Sequence, residues 1–255
     1  TSDDGSMPLL SPMSSIAGQL SIVVGSYHLL KPNKGMGTLI GAIDDVEKRV
    51  VTVIGAGVAG TMAIEKAINN KAHLKIIDLS QKRLDELRSI YGESDVEYII
   101  STNSSIKAAL KESDLVIGAV YVIGKQAPKV VKNSMLKEMK PGAVMVDISI
   151  DQGGCFETSK VTTHNNPTFT VHDVIHYCVP NMTSLVSRTA SNALSNVVAP
   201  LVLQTGDEGG IENMIRNHQG IQNGVYLYNG TLTNKYLGES LKLPFKDLKL
   251  LLAAF

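Results

Sequence analysis

The chain has no tryptophan, only 5% aromatic residues, no surplus of either charge sign and just two cysteines in 255 residues. Each scarcity excludes something. With 24 basic and 24 acidic residues the net charge is zero, which removes the electrostatic case for a nucleic-acid partner or an anionic membrane surface. Cys155 and Cys178 have neither metal-ligand spacing nor the pattern of a disulfide framework, so no metal is expected and a reducing cytoplasm fits. The longest apolar runs, such as Val197 to Leu203, fall far short of a bilayer span, and no secretory leader is read at the start. Internal repeats and low-complexity tracts are missing too. What is left is a globular chain, 44% hydrophobic and 19% charged, long enough for one large domain or one and a half.

One stretch organises the rest. Val50 to Ile54 is a short β-branched run of the kind buried on both faces in a parallel sheet. It stops at Gly55, and Gly55, Gly57 and Gly60 follow as G-x-G-x-x-G before a helix-like segment. The three glycines suit a tight turn, a close backbone approach to a pyrophosphate and tight helix–strand packing. The amides that open the following helix would face the phosphates. A second apolar run ends in Asp78, 18 residues past Gly60, where a carboxylate would accept hydrogen bonds from an adenosine ribose. Glycine-rich turns alone are common, and a ligand-free βα turn is the alternative; the strand–turn–helix–strand–acid context favours a dinucleotide. Asp78 argues for NAD over NADP, because a carboxylate repels a 2′-phosphate, and Arg83 softens that preference.

Taken in order, Pro8 to Pro12 should be extended and Ser14 should cap a helix whose apolar residues run from Ile16 to Leu30. Leu39 to Ile43 reads as a short strand or loop. From Val50 the alternation is regular: strand 50–54, helix 58–70, strand 74–78, helix 80–90, strand 97–100, helix 103–112 and strand 115–120. A loop with Gly124 and Pro128, a helix around 134–139 and strand 144–148 follow. That order implies an α/β, Rossmann-type doubly wound parallel sheet with helices on both faces. Past Ile148 the chain turns polar, and loops beyond the carboxyl ends of parallel strands are where such sheets bind ligands. Residues 169–172 and 175–179 suit two more strands. A helix over about 183–204 should be kinked or interrupted by Pro200. A shorter helix spans 208–217, 224–233 suits a strand pair, and the apolar tail 241–255 should pack. The expected division is a dinucleotide-binding domain over 1–182 and a C-terminal segment, 183–255, belonging to a partial second domain.

Several stretches together resemble alanine dehydrogenase, an NAD-dependent bacterial enzyme. They are Pro8-Leu-Leu-Ser-Pro-Met-Ser14 with Ala17-Gly18, Val53-Ile-Gly-Ala-Gly-x-Ala-Gly60, Asp114-Leu-Val-Ile-Gly-Ala-Val120 and Ala127-Pro-Lys129. The most specific runs from Met139 through Asp147-Ile-Ser-Ile-Asp-Gln-Gly-Gly-Cys-Phe-Glu157, followed by Val171-His-Asp173 and Tyr177-Cys-Val-x-Asn-Met182. The resemblance covers nearly the whole chain and is loosest after 205. It implies reversible oxidative deamination of L-alanine to pyruvate and ammonia, a place in L-alanine catabolism, NAD as cofactor and a homo-hexamer. Family members carry a further stretch ahead of this one, half of the substrate domain, with the arginine and lysine that hold the substrate and the acid/base histidine. None of the six histidines here matches that histidine, so the chain is expected to be truncated and inactive alone. Asp4-Gly5-Ser6 matches the family and reads as native.

Residue by residue, the resemblance implies that Ser14 touches the cofactor near its pyrophosphate and nicotinamide end. Val58 and Ala59 offer amides to phosphate, Asp78 holds the adenosine ribose with Arg83 beside it, and Ser101 sits near the adenine. Ala119, Val120 and Ile148 line the cleft, Lys160 stands where the family usually has arginine, and Val179, Asn181 and Met182 close around the nicotinamide. Asp151 is the candidate catalytic residue, also placed against the cofactor: a carboxylate there can move protons and steady the carbinolamine. The alternative is a loop aspartate capping the Gly153-Gly154 turn. Asp147, on the strand, reads as a structural hydrogen-bonder and Cys155 as a small buried residue. His28 reads as a helix-face residue, and His172 and His176 as packed or cofactor-adjacent. Two other readings stay open: a non-catalytic NAD-binding module, and the NAD-binding segment of a proton-translocating transhydrogenase, whose members differ at Asp151-Gln-Gly.

Overall fold

The computed structural model describes residues 6–41, 43–123 and 125–253. It divides into two compact units, one formed by Ser14–Val186 and the other by Thr1–Met13 with Ser187–Phe255.

A long helix, α1 (Leu10–His28), leads into the first unit. Then β1 (Val50–Ile54), α2 (Val58–Asn69), β2 (His73–Asp78), α3 (Gln81–Tyr91), β3 (Val96–Ile100), α4 (Asn103–Glu112) and β4 (Leu115–Gly118) alternate. After them come α5 (Asn133–Leu136), β5 (Val144–Asp147), a 3-10 turn (Ile148–Gln152) and the strands β6 (Thr168–Val171) and β7 (Val174–Tyr177). The seven strands form one sheet in the order β3-β2-β1-β4-β5-β7-β6, parallel except for the antiparallel edge strand β6. The chain order reverses between β1 and β4, so the crevice above those two strands is the topological switch point.

The local sequence explains these elements. β1, β2, β4 and β5 are dominated by β-branched and aliphatic residues, most of them buried, as a sheet covered on both faces requires. Ser80 caps α3 by accepting from the Arg83 amide at 3.2 Å, and Thr102 and Ser105 form a reciprocal capping box on α4. One core layer lies between the sheet and α1, α2 and α3, through Ile22, Ile64, Leu84 and Leu87. The other lies under α4 and α5, through Ile106, Leu110, Leu136 and Phe156.

In the second unit, α6 (Ser187–Asp207), α7 (Ile211–Asn217), α8 (Gln219–Gln222), the hairpin β8 (Leu227–Tyr228) and β9 (Thr231–Leu232), α9 (Lys235–Leu241) and α10 (Leu248–Ala253) follow one another. A small core of Ile215, Tyr228 and Leu248 holds them.

Several expectations need correction. Helix α1 already begins at Leu10, so Ser14 lies inside it and caps nothing. Pro12 falls in the first turn, where amides have no intrahelical acceptor and a proline forfeits no bond. Pro200 does not interrupt α6: it is exposed, and the one carbonyl it leaves unpaired can turn to water. Of the two readings open for Leu39 to Ile43, the described residues 39–41 and 43 take the loop, with an isolated bridge between Ile43 and Val46. Strands β4, β5 and β7 stop one or two residues earlier than expected, at Gly118, Asp147 and Tyr177. The apolar tail packs only in part: Leu248 is buried while Leu241, Leu243 and Leu250 stand exposed. On α1, Val23 and Tyr27 are exposed. Asp4, Gly5, Gly124 and Phe255, named above, lie outside the described residues. Among the described residues no helix is long and apolar enough to cross a membrane, and no cluster of three or more potential metal ligands is found.

Candidate functional site

The site is built from the loops that leave the carboxyl ends of the parallel strands. Gly55 closes β1 with φ +95°, and a Cβ there would lie 2.6 Å from the Ala119 carbonyl oxygen. The Ala119 amide donates to the Ile54 carbonyl at 2.8 Å. The glycine loop after β1 and the Ala119-Val120 segment after β4 therefore meet at the switch point. Gly60 is in a tighter place: a Cβ would sit 1.8 Å from the Gly55 carbonyl oxygen, so only glycine lets α2 close onto the turn. Gly57 is the opposite case. Its φ of −70° suits any residue and nothing lies within 4 Å of a Cβ built on it. Packing does not require glycine at 57, and its bare backbone faces open space. The first bond of α2 runs from the Thr61 amide to the Gly57 carbonyl, which leaves the amides of Val58, Ala59 and Gly60 free of intrahelical acceptors at the positive end of the helix dipole. The loop thus has the cradle that a pyrophosphate fits.

At the end of β2, Asp78 accepts from the Ala56 amide at 2.7 Å through one oxygen and from the Ser80 amide at 2.9 Å through the other. Each carboxylate oxygen keeps a lone pair for a ribose hydroxyl. Arg83 approaches the same residue from the other side. Its Nε donates to the Ala56 carbonyl at 3.0 Å, Nη2 to Thr61 Oγ1 at 2.8 Å and Nη1 to Glu86 at 3.1 Å. Ser101 follows β3, with its amide on the Asp78 carbonyl at 2.9 Å. On α1, Ser14 stands one turn before Gly18, where a Cβ would lie 2.1 Å from the Ala59 carbonyl oxygen. The long helix thus crosses the start of α2 beside the phosphate cradle.

Beyond β5, the exposed Asp151 accepts the Asn181 amide at 3.3 Å. It does not cap the Gly153-Gly154 turn, whose amides go to Ile150 and Ser149. Asn181 holds φ +48°, a strained value for a non-glycine residue, in the loop after β7. Val179 and Met182 are buried beside it, and Ile148 is half-buried. Lys160 lies apart, its ammonium 4.5 Å from the ring centre of Phe169 on the edge strand β6.

Asp147 is more than a single structural bond. It accepts from the amides of Ser149, Cys155 and Phe156 and from the Ser159 hydroxyl, and so ties the 149–159 loop to its strand. Burial pushes its carboxyl up from the usual range. Burial and the Asp147 charge hold the Cys155 thiol well above its ordinary value, so it is no nucleophile. His176 is fully buried, shares a 2.8 Å bond with Thr158 and is lowered to about 4 by burial. His28, the last residue of α1, is likewise buried and lowered by burial, so the helix face it occupies is a packed one. His172 bonds Asn133 at 3.0 Å in the turn between β6 and β7.

Two parts of the site were not singled out from sequence. Lys129 donates to the carbonyls of Gly153 and Gly154 and pins the turn after Asp151. Thr61 anchors Arg83. No spacing rule links a lysine to a Gly-Gly turn some two dozen residues on, so no local signal pointed to either.

Comparison with known proteins places these features in a lineage. Residues 21–235 match the family described as alanine dehydrogenase/PNT, C-terminal domain. An alanine dehydrogenase of Mycolicibacterium smegmatis is 45% identical over 246 residues, covering 96% of this chain and 65% of the relative. One from Staphylococcus epidermidis is 44% identical over 247 residues, covering 96% and 66%. Among solved structures, an L-alanine dehydrogenase aligns with a TM-score of 0.89 at 37% identity, over 94% of this chain and 66% of that one. A transhydrogenase from Sinorhizobium meliloti aligns with a TM-score of 0.70 at 21% identity, over 89% and 61%, a likeness of fold. The chain spans just under two thirds of the length of these curated relatives.

Proposed function

The chain belongs to the alanine dehydrogenase/PNT C-terminal domain family, and from that membership we propose that it is the NAD-binding domain, with a segment of the substrate domain, of an L-alanine dehydrogenase. The proposed division is 1–182 for the first and 183–255 for the second. The reaction is the reversible oxidation of L-alanine to pyruvate and ammonia. The observation that carries this reading is convergence: the glycine cradle, Asp78, Ser101, Val120, Asp151 and Asn181 all leave the carboxyl ends of strands of one sheet.

In this reading bound NAD supplies the hydride acceptor. The chain's own groups bind and orient. The amides of Val58 and Ala59 face the pyrophosphate, with Ser14 beside them. Asp78 accepts the ribose hydroxyls, and Arg83 braces the loop on which they rest. Ala119, Val120 and Ile148 line the cleft, while Val179, Asn181 and Met182 shut water from the nicotinamide end. Asp151, exposed and steered by the Asn181 amide, takes a proton as water adds to the imine of the substrate and returns one as ammonia departs. Gly153, Gly154 and Lys129 fix the turn that aims it. A homo-hexamer, a cytoplasmic setting and a role in L-alanine catabolism complete the proposal, supported by the resemblance alone.

The test is in two steps. Titration of this chain with NADH should enhance the nucleotide's own fluorescence, with no tryptophan to interfere. The longer protein should then form NADH from NAD and L-alanine. NADH binding without amino-acid turnover by the longer protein would instead favour a non-catalytic NAD-binding module.

A further inference from the structure

Arg83 is a cation set beside the carboxylate that receives the ribose, yet most of its donors are already engaged. Asp78 holds the amide of Ala56 and Arg83 holds the carbonyl of the same residue, at 2.7 and 3.0 Å. The guanidinium therefore lies close to the ribose edge. Three of the five N–H donors that a guanidinium carries are engaged by Ala56, Thr61 and Glu86. Thr61 is itself fixed, since its hydroxyl donates to the Gly57 carbonyl at 2.8 Å. Glu86 sits one turn along α3 and pairs with Arg83 at i,i+3.

We propose that Thr61 and Glu86 are specificity-determining residues: they hold Arg83 as a strut of the glycine loop and so withhold it from the 2′-phosphate of NADP. This rests on the dinucleotide reading above and deepens it. Discrimination then has two parts. Asp78 repels a 2′-phosphate, and the Thr61–Glu86 pair denies that phosphate the bidentate partner an arginine would otherwise offer. Arg83 accordingly braces the loop for either nucleotide and does not soften the NAD preference.

The test compares the wild-type chain with the double variant Thr61→Val and Glu86→Met, which removes both acceptors with little change of volume. Calorimetry measures 2′,5′-ADP against 5′-AMP, and nucleotide fluorescence measures NADPH against NADH. Release of a half-exposed arginine should tighten the 2′-phosphorylated ligand of each pair by about fivefold relative to the other. Adding Arg83→Met should abolish the gain. An unchanged ratio, an equal gain for both members of a pair, or a gain that survives Arg83→Met would each overturn the proposal. If the wild type itself binds neither NADH nor 5′-AMP, it is the dinucleotide reading that has failed. The Asp78→Ser background gives a second arm, because there the released arginine meets the phosphate without an opposing carboxylate, and the fivefold gain should persist.

Discussion

Two glycines three residues apart should respond to the same substitution in opposite ways. At Gly60 an added methyl would stand 1.8 Å from the Gly55 carbonyl oxygen and 2.9 Å from its carbon, both backbone atoms with no rotamer to yield. Helix α2 would have to retreat from β1 by more than an ångström. Overpacking of this kind costs about 1–3 kcal/mol, and the better helix propensity of alanine offsets about 1 kcal/mol. A net loss of up to about 2 kcal/mol corresponds to a melting temperature lower by up to roughly 4–8 °C in a protein of this size. At Gly57 nothing lies within 4 Å and φ is −70°, so alanine fits the free protein. The weaker N-cap and the stiffer unfolded chain roughly cancel, leaving stability within about 1 kcal/mol. The methyl would instead occupy the surface on which a pyrophosphate rests, and NADH affinity should fall at least tenfold, about 1.4 kcal/mol. Thermal melts and NADH titrations of Gly57→Ala and Gly60→Ala separate the two roles. A Gly57→Ala protein that melts normally and binds NADH like wild type would refute the placement of the phosphates. A Gly60→Ala protein that melts like wild type would refute the packing argument.

Asp78→Ala should weaken NADH by more than tenfold, about 1.4 kcal/mol or more, and NADPH far less; because it also strands the Ala56 and Ser80 amides, the melt should drop by a few degrees, and equal loss for both nucleotides would remove the ribose role. Asp151→Asn in the longer protein should cut kcat at least a hundredfold while NADH affinity stays within twofold, on the order expected for a lost proton-transfer group; unchanged kcat would take it out of the mechanism. His176 should make the protein acid-sensitive. Its folded value of about 4 lies below the ordinary 6.5, so the unfolded state binds the proton first, and stability falls from about pH 6.5 down to about pH 4, by roughly 3 kcal/mol in all; His176→Gln should flatten that part of the melting-temperature profile, and an unaltered slope would count against it. Cys155, buried with a raised thiol, should resist thiol reagents at neutral pH until the protein unfolds, and rapid labelling of the native chain at that residue would contradict its burial.

Most of the sheet was legible in the sequence. The β-branched runs at 50–54 and 144–147 and the amphipathic segments between them encode burial by their period, and period is a local property. The glycine loop was legible because its spacing and its strand–helix context are both local. Errors gathered where the deciding contact was not. Ser14 looked like a cap because it is a serine before an apolar run; the helix instead starts four residues earlier, with Pro12 tolerated in the first turn. Pro200 looked like a break, and the helix passes it at an exposed position, where the carbonyl four residues earlier has room to turn outward. The apolar tail looked like core, yet several of its leucines are exposed.

What the sequence by itself determined is the order of strands and helices, the turn that opens α2, and a carboxylate at the end of β2. These follow from side-chain period, backbone freedom and chain direction, all readable within a few residues. What only the tertiary structure decided is which groups share a point in space. Ala56 is gripped by Asp78 through its amide and by Arg83 through its carbonyl, Asp147 gathers the 149–159 loop, and Asp151 is steered by an amide from beyond β7. Those contacts depend on parallel register across crossovers tens of residues long, and no one-dimensional pattern fixes where two such loops will meet.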